Sequence, residues 1–304
     1  MGKKQINRKE FFVKALAGAA GLNFMSKNLN WSGNPSIELR GIGKTGLMVS
    51  PICFGAPRTN EESLIKYALG KGLNFIDTGR AYGNGNNEKL VGRAITGIRD
   101  KVVIQSKIRL EENELPSKGK GKKGADEIKY ALSSKLEASL KALNTDYIDI
   151  LLYHDAIDES LLFHSETMKF FSDMKTSGAI KAHGFSTHNE RMNLPERNNK
   201  EVFYNVIMVP FNPKGSFVHS VSGRYSEWDQ KKLISILTEA GNKGIGVIAM
   251  KTCSGGMYSP SPGIQPSYKE AVLWVLQNKF ISSAAIAMAN FEQVDEHTSW
   301  FGLK

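Results

Sequence analysis

From residue 37 onward the apolar residues fall into short unbroken runs, separated by stretches in which they recur every three or four positions. The runs are LMVSPICFG, FID, KVVIQSKI, YIDILLYH, IKAHGFST, VFYNVIMVPFN, IGVIAMKT and SSAAIAM. Continuous apolar runs of this length suit strands covered on both faces. Between them, ESLIKYALGKG places Leu64, Ile65, Ala68 and Leu69 on one helical face and stops at Gly72. EIKYALSSKLEASLKAL, SETMKFFSDMKTSG with its stop at Gly178, QKKLISILTEAGNKG, YKEAVLWVLQNK and the final FEQVDEHTSW share that period. Eight β–α units over roughly 250 residues predict an α/β fold, the (β/α)8 TIM barrel. IELRGIGKTGLMVS, two short strands about a Gly-containing turn, predicts an N-terminal β-hairpin ahead of it. A doubly wound open sheet would carry a Gly-rich phosphate turn after its first strand, and FGAPRTNEES has none. No linker or change of composition follows residue 37, so 37–304 reads as one domain. Segments near 110–125, 189–200 and 214–228 show no signature and are expected as loops. GSFVHSVSGRYSEW within the last is expected as a mobile segment over the barrel mouth.

Charge changes the picture only at the start. The net charge is +10, but residues 1–30 hold six Lys/Arg against one acid, and SKGKGKKG (117–124) holds four lysines. The remaining body is nearly neutral, which argues against a nucleic-acid platform. The lysine–glycine run reads as a solvated loop. MGKKQINRKEFFVKALAGAAGLNFM has a basic start and then an Ala/Gly-rich apolar stretch, too short and weakly apolar for a spanning helix. It reads as an export signal over residues 1–30, close to the twin-arginine pattern with Lys9 at the second basic position. That implies export machinery as a partner and a periplasmic location; a cytoplasmic amphipathic extension is the alternative. The two cysteines, Cys53 and Cys253, have no metal-ligand spacing, so no metal is expected, and Cys53 reads as a buried structural thiol.

In such a barrel the chemistry gathers at the C-terminal ends of the strands. Those ends carry Asp77 with Tyr82 just beyond it, Lys107, His154, then Ser186, Thr187 and His188, and Lys251. Each alone has a bland reading as a cap, a snorkelling side chain or a satisfied structural group. Adjacent strands aiming ionisable groups at one mouth suggest proton transfer. A phenol has a pKa near ~10; a neighbouring ammonium is expected to lower it. Asp77 is the expected counter-ion for that ammonium, and His154 the group that orients a carbonyl. Protonating a carbonyl oxygen while hydride reaches carbon requires a nicotinamide or flavin.

The sequence resembles the aldo-keto reductase family over nearly all of residues 37–300, in a form carrying the twin-arginine-like signal. FIDTGRAYGNGNNEKLVGRAI is similar to its D-T-A-x-x-Y-G-x-x-E signature, with Gly79 where alanine is usual. LNTDYIDILLYH, GFST and GVIAMKTCSGG resemble further segments in the right order. The resemblance implies Asp77, Tyr82, Lys107 and His154 as the catalytic four, with Tyr82 as general acid tuned by Lys107 and Asp77. It implies a nicotinamide cofactor at the barrel mouth, Ser186 on its carboxamide, and Lys251 with Gly255 and Gly256 on the pyrophosphate side. Thr187 stands where the family has asparagine in G-x-S-N, and Met208 where glutamine is frequent. Met288, Ala289 and Gln293 occupy the region that usually grips a 2′-phosphate, which leaves both NADP and NAD open. The expected reaction is reduction of an aldehyde or ketone. A nicotinamide-binding sensor with little turnover and a lyase using Lys107 as a Schiff base are the alternatives.

Overall fold

The structure is a computed structural model that describes residues 37–111, 114, 122–188, 191–219 and 222–301. The signal expected over residues 1–30 lies outside them, as does part of the lysine–glycine run. The eight apolar runs close into a barrel. Strands β3 (Ile52–Gly55), β4 (Phe75–Asp77), β5 (Val103–Ile108), β6 (Ile148–Tyr153), β7 (Ile180–Ser186), β8 (Val206–Pro210), β11 (Gly246–Met250) and β12 (Ile281–Ala287) form its wall. Every neighbouring pair is parallel, and β11 pairs with β8 to complete the circle. The hairpin is present as β1 (Arg40–Gly41) and β2 (Met48–Val49). Met48 and Val49 therefore belong to the hairpin, and the first barrel strand starts only at Ile52.

Alternation along each strand sorts side chains between two cores. Cys53, Phe75, Ile150, Leu152, Ala182, Val206, Met208 and Ile248 fill the barrel interior, joined by Ile42 and Val49 from the hairpin. Their sequence neighbours Ile52, Phe54, Ile76, Leu151 and Ile207 face outward into a second core with the helices. Nine α-helices are present among the described residues: α1 (Glu62–Gly70), α2 (Asn86–Ala94), α3 (Lys122–Leu143), α4 (Glu159–Leu162), α5 (Ser165–Thr176), α6 (Asn193–Glu201), α7 (Gln230–Asn242), α8 (Tyr268–Leu276) and α9 (Phe291–Ser299). None is long and apolar enough to cross a membrane.

The hairpin packs under the N-terminal ends of the strands. Ile42 is fully buried there. Lys44 N–H donates to Gly244 O at 2.8 Å. A Cβ on Gly246 would lie 2.3 Å from Ile42 Cγ2, so the approach requires glycine.

Three segments differ from expectation. Residues 122–124, assigned above to the solvated loop, are the first turn of α3. The loop expected near 189–200 contains α6, whose Asn198 side chain holds both the N–H and the C=O of Tyr204 while Asn199 donates to Ile236 O. Buried amides in backbone roles leave no apolar period to read. In the segment expected to be mobile, β9 (Ser216–Val218) pairs antiparallel with β10 (Tyr225–Glu227). Phe217 is buried beneath this second hairpin.

Candidate active site

The strand period delivers the polar groups to the mouth. Phe75 faces the interior, so Asp77, two residues on, does too; Gln105 and Lys107 share the inward face of the adjacent strand β5. The Lys107 ammonium is 1% exposed. It donates to Asp77 Oδ1, to Thr78 O at 2.8 Å and to Tyr82 Oη at 3.4 Å. Gln105 Nε2 donates to the same Asp77 oxygen at 2.6 Å and lies 3.4 Å from Met208 Sδ. The Tyr82 ring meets His154 edge-on, with centroids 5.5 Å apart. The four residues expected to act together are therefore gathered at one place.

Tyr82 is brought there by a local device. Thr78 N–H and Arg80 N–H donate to Gln105 O and Lys107 O at 2.9 Å, carrying the β4–β5 pairing past the strand end. Gly83, Asn84 and Gly85 then run at φ of 55°, 51° and 83°, a left-handed passage that turns the chain into α2. Arg80 folds back under this passage, and its Nη1 lies 2.8 Å from Glu88 Oε2. Glu88 Oε1 accepts from Ser106 Oγ at 2.6 Å, on the outward face of β5. The same guanidinium fills the space beside residue 85, where a Cβ would fall 0.9 Å from Arg80 Nη2. Thr78 and Asn87 complete the support, joined at 2.6 Å, with Asn87 donating to Ala56 O at 2.8 Å.

Electrostatics correct one expectation. Burial raises the Tyr82 pKa above the ordinary phenol value, outweighing the pull of Lys107 in the other direction. The tyrosine is thus a protonated donor at neutral pH rather than a phenol poised to ionise. Burial depresses Lys107, but Asp77 and Tyr82 more than offset it and its pKa lies above the usual value. The ammonium is fixed as a cation. Burial, then Lys107 and Arg109, hold His154 down to about 3. It is a neutral imidazole whose Nδ1 is buried without a hydrogen-bond partner.

The expected cofactor residues divide. Ser186 Oγ accepts from Asp155 N–H at 2.9 Å, and the Thr187 hydroxyl, buried, donates to Ala156 O at 2.7 Å. Both brace the loop after β6. Lys251 sits at φ 58° past the end of β11, where burial and then Arg58 lower its pKa, so two cations from the β3 and β11 loops face one another. Gly255 abuts Asn212, and a Cβ on Gly256 (φ 90°) would lie 3.4 Å from Lys214 Nζ. Lys214 beside the glycine turn, with the Lys251 and Arg58 pair, fits an anionic pyrophosphate. At the N-terminus of α9, Asn290 Oδ1 accepts from Gln293 N–H at 2.9 Å and Gln293 Oε1 from Ala289 N–H at 2.8 Å. Met288 is fully buried. The first turn of this helix carries Glu292 and no base.

Other groups at the mouth were not singled out from the sequence. Gln105 could have been found from its two-residue spacing to Lys107. Asp155, at φ 51°, turns sharply after His154 and meets His188 Nδ1 at 2.9 Å. Burial pushes the thiol of Cys53 well up and that of Cys253 to about 11, which disfavours the thiolate at neutral pH. A wider hollow of about 790 Å³ lies on the barrel exterior beside Lys175, His183 and Phe203 and holds none of the catalytic candidates.

The family model described as "Aldo/keto reductase family" matches residues 54–296. L-galactose dehydrogenase of Arabidopsis thaliana is 26% identical over 301 residues, spanning 86% of this chain and 88% of that protein. Methylglyoxal reductase YeaE of Escherichia coli is 32% identical over 160 residues, which span 53% of this chain and 49% of that one. Among solved structures, an aldo-keto reductase from Bacillus halodurans superposes with a TM-score of 0.67 at 21% identity, covering 88% of this chain and 92% of that one. One from Klebsiella pneumoniae, in complex with NADP and acetate, gives 0.63 at 21%, covering 87% and 90%.

Proposed function

The chain belongs to the aldo/keto reductase family, and we propose that it reduces an aldehyde or ketone to an alcohol with a nicotinamide cofactor. The observation that carries this reading is the Lys107 ammonium bonded at once to Asp77 and Tyr82, with His154 against the same phenol. Relatives named for L-galactose and for methylglyoxal support small polar carbonyl compounds as the substrate class.

The cofactor, when bound, supplies hydride to the carbonyl carbon. Tyr82 gives its proton to the carbonyl oxygen. Lys107, fixed as a cation, stabilises the phenolate that remains, so its effect is spent where charge develops. Asp77 holds the ammonium in place and keeps the buried site near neutral. His154, uncharged, offers the substrate a hydrogen bond without competing for the proton. Lys251, Arg58 and Lys214 would bind the pyrophosphate, and the support from Ser186 to Asp155 would fix the loop beside the carboxamide.

The same geometry disfavours a Schiff-base lyase, because a lysine donating to three acceptors as an ammonium has no lone pair to attack a carbonyl. The test is turnover by the full chain of aliphatic, aromatic and α-oxo aldehydes with NADPH or NADH, followed by loss of nicotinamide absorbance. Cofactor binding with no consumption across the panel would overturn the reading.

A further inference from the structure

Beyond His154, between the ends of β6 and β7 and the β9–β10 hairpin, lies a cavity of about 230 Å³. Its wall starts at Asp155, one residue past His154, and continues through His188, Arg191, Phe217 and Arg224. It is smaller than the ~300 Å³ at which whole-ligand pockets begin, so it suits one end of a molecule. Among its described lining residues the arginines, Arg191 and Arg224, outnumber the carboxylates. Asp155, the carboxylate among the described lining residues, is already engaged: Oδ1 is 2.9 Å from His188 Nδ1 and Oδ2 is 3.7 Å from Arg109 Nη1. Its backbone is fixed by the bond from Asp155 N–H to Ser186 Oγ at 2.9 Å. Arg191 is different. Among the described residues its buried Nε has no hydrogen-bond partner and it makes no salt bridge. A buried guanidinium N–H without an acceptor is costly, and such a group in a native protein calls for an explanation. An anion entering the cavity would meet the guanidinium on its wall and offset that cost in the geometry arginine favours.

We propose that this cavity is a specificity subsite for the anionic group, carboxylate or phosphate, of the carbonyl substrate, with Arg191 as its principal contact. The proposal rests on the reductase reading, since it places the anion beyond the carbonyl held at Tyr82 and His154. The pyrophosphate is provided for by Arg58, Lys214 and Lys251, the last of which also approaches the cavity wall, 5.5 Å from the Phe217 ring, while Arg191 lines the cavity itself.

The test compares 4-carboxybenzaldehyde with its neutral methyl ester, methyl 4-formylbenzoate, as substrates of the full chain and of Arg191→Gln. The wild type should prefer the acid in kcat/KM. The variant should lose about tenfold on the acid, mainly through KM, and little on the ester, with NADPH binding and the circular dichroism spectrum unchanged. 4-Formylphenyl phosphate distinguishes the two anions: preference for it over the acid assigns phosphate, the reverse assigns carboxylate. Equal treatment of acid and ester by the wild type, equal loss on both in the variant, or a fall in NADPH affinity instead would each overturn the subsite. If no aldehyde is turned over, the reductase reading fails by itself, and calorimetric binding of 4-(hydroxymethyl)benzoate against its methyl ester decides the cavity. Acid-selective binding that depends on Arg191 retains it; no such binding overturns it.

Discussion

The Lys107 ammonium lies 3.4 Å from the Tyr82 hydroxyl oxygen and 4.9 Å from the centre of its ring, so one cation addresses both the polar tip and the π face of the phenol. It holds the ring in place through two kinds of attraction. Tyr82→Phe keeps the ring and removes the hydroxyl that would give the proton. Turnover should fall by about 10²–10⁴-fold, while nicotinamide affinity by fluorescence titration stays within about threefold. Activity within a few-fold of wild type would exclude Tyr82 as the acid.

Removing the cation alone should damage the fold as well as the chemistry. Lys107→Met leaves Asp77 buried with Gln105 Nε2 as its side-chain partner among the described residues. The expected cost is about 3–5 kcal/mol in urea unfolding. Adding Asp77→Asn should recover most of that stability and none of the activity. A double variant no more stable than the single one would show that the pair is not coupled as described.

Burial holds both His154 and His183 down to about 3. Both titrate near ~6.5 in an unfolded chain. Below that value the unfolded state binds more protons, so their contribution is complete above ~6.5 and is lost as pH falls toward 3. The urea midpoint should therefore drop from pH 6.5 to pH 4. His183→Phe, whose new ring would stack on Phe203 as the imidazole does at 4.8 Å, should flatten that drop. Turnover in the reductive direction should be lost only on the alkaline side, above ~10, because burial raises Tyr82.

Two glycines of one loop should respond oppositely to alanine. At residue 79 a Cβ meets Lys107 Cβ and a Tyr82 ring carbon at 3.4 Å, so Gly79→Ala should be nearly neutral in stability and activity. At residue 85 it collides with Arg80 and φ is 83°. Gly85→Ala should expel the guanidinium from buried Glu88 and cost about 3 kcal/mol or more. Equal denaturation midpoints for the two variants would refute the account of Arg80.

Discrimination between NADPH and NADH should be less than about tenfold, since no lysine or arginine stands in the first turn of α9. Gln293→Arg should shift binding toward NADPH in a fluorescence titration. A wild type that binds NADPH far more tightly would locate the 2′-phosphate at other residues.

The barrel was readable because strands covered on both faces must be apolar throughout, and helices ending in Gly72 or Gly178 announce their stops. Helix α6 was not, since its buried positions include Asn198 and Asn199, whose amides serve backbone groups rather than an apolar face. The four candidates Asp77, Tyr82, Lys107 and His154 were legible from their places at strand ends. Arg80 under Gly85, and Asp155 on His188, depend on cross-loop distances that no spacing encodes. The direction of the Tyr82 shift was misjudged for a related reason: a sequence shows the neighbouring charge but not the loss of water around the phenol.

The hairpin beneath the barrel has a kinetic consequence. With Ile42 pressed against Gly246 and Lys44 bonded to Gly244, that end is a closed floor. A ligand held at the mouth would have to exchange through the opposite rim, so of two ligands stacked there the deeper would enter first and leave last. A barrel with one door turns spatial depth into temporal order, and the slow departure of its deepest guest is where turnover would be throttled.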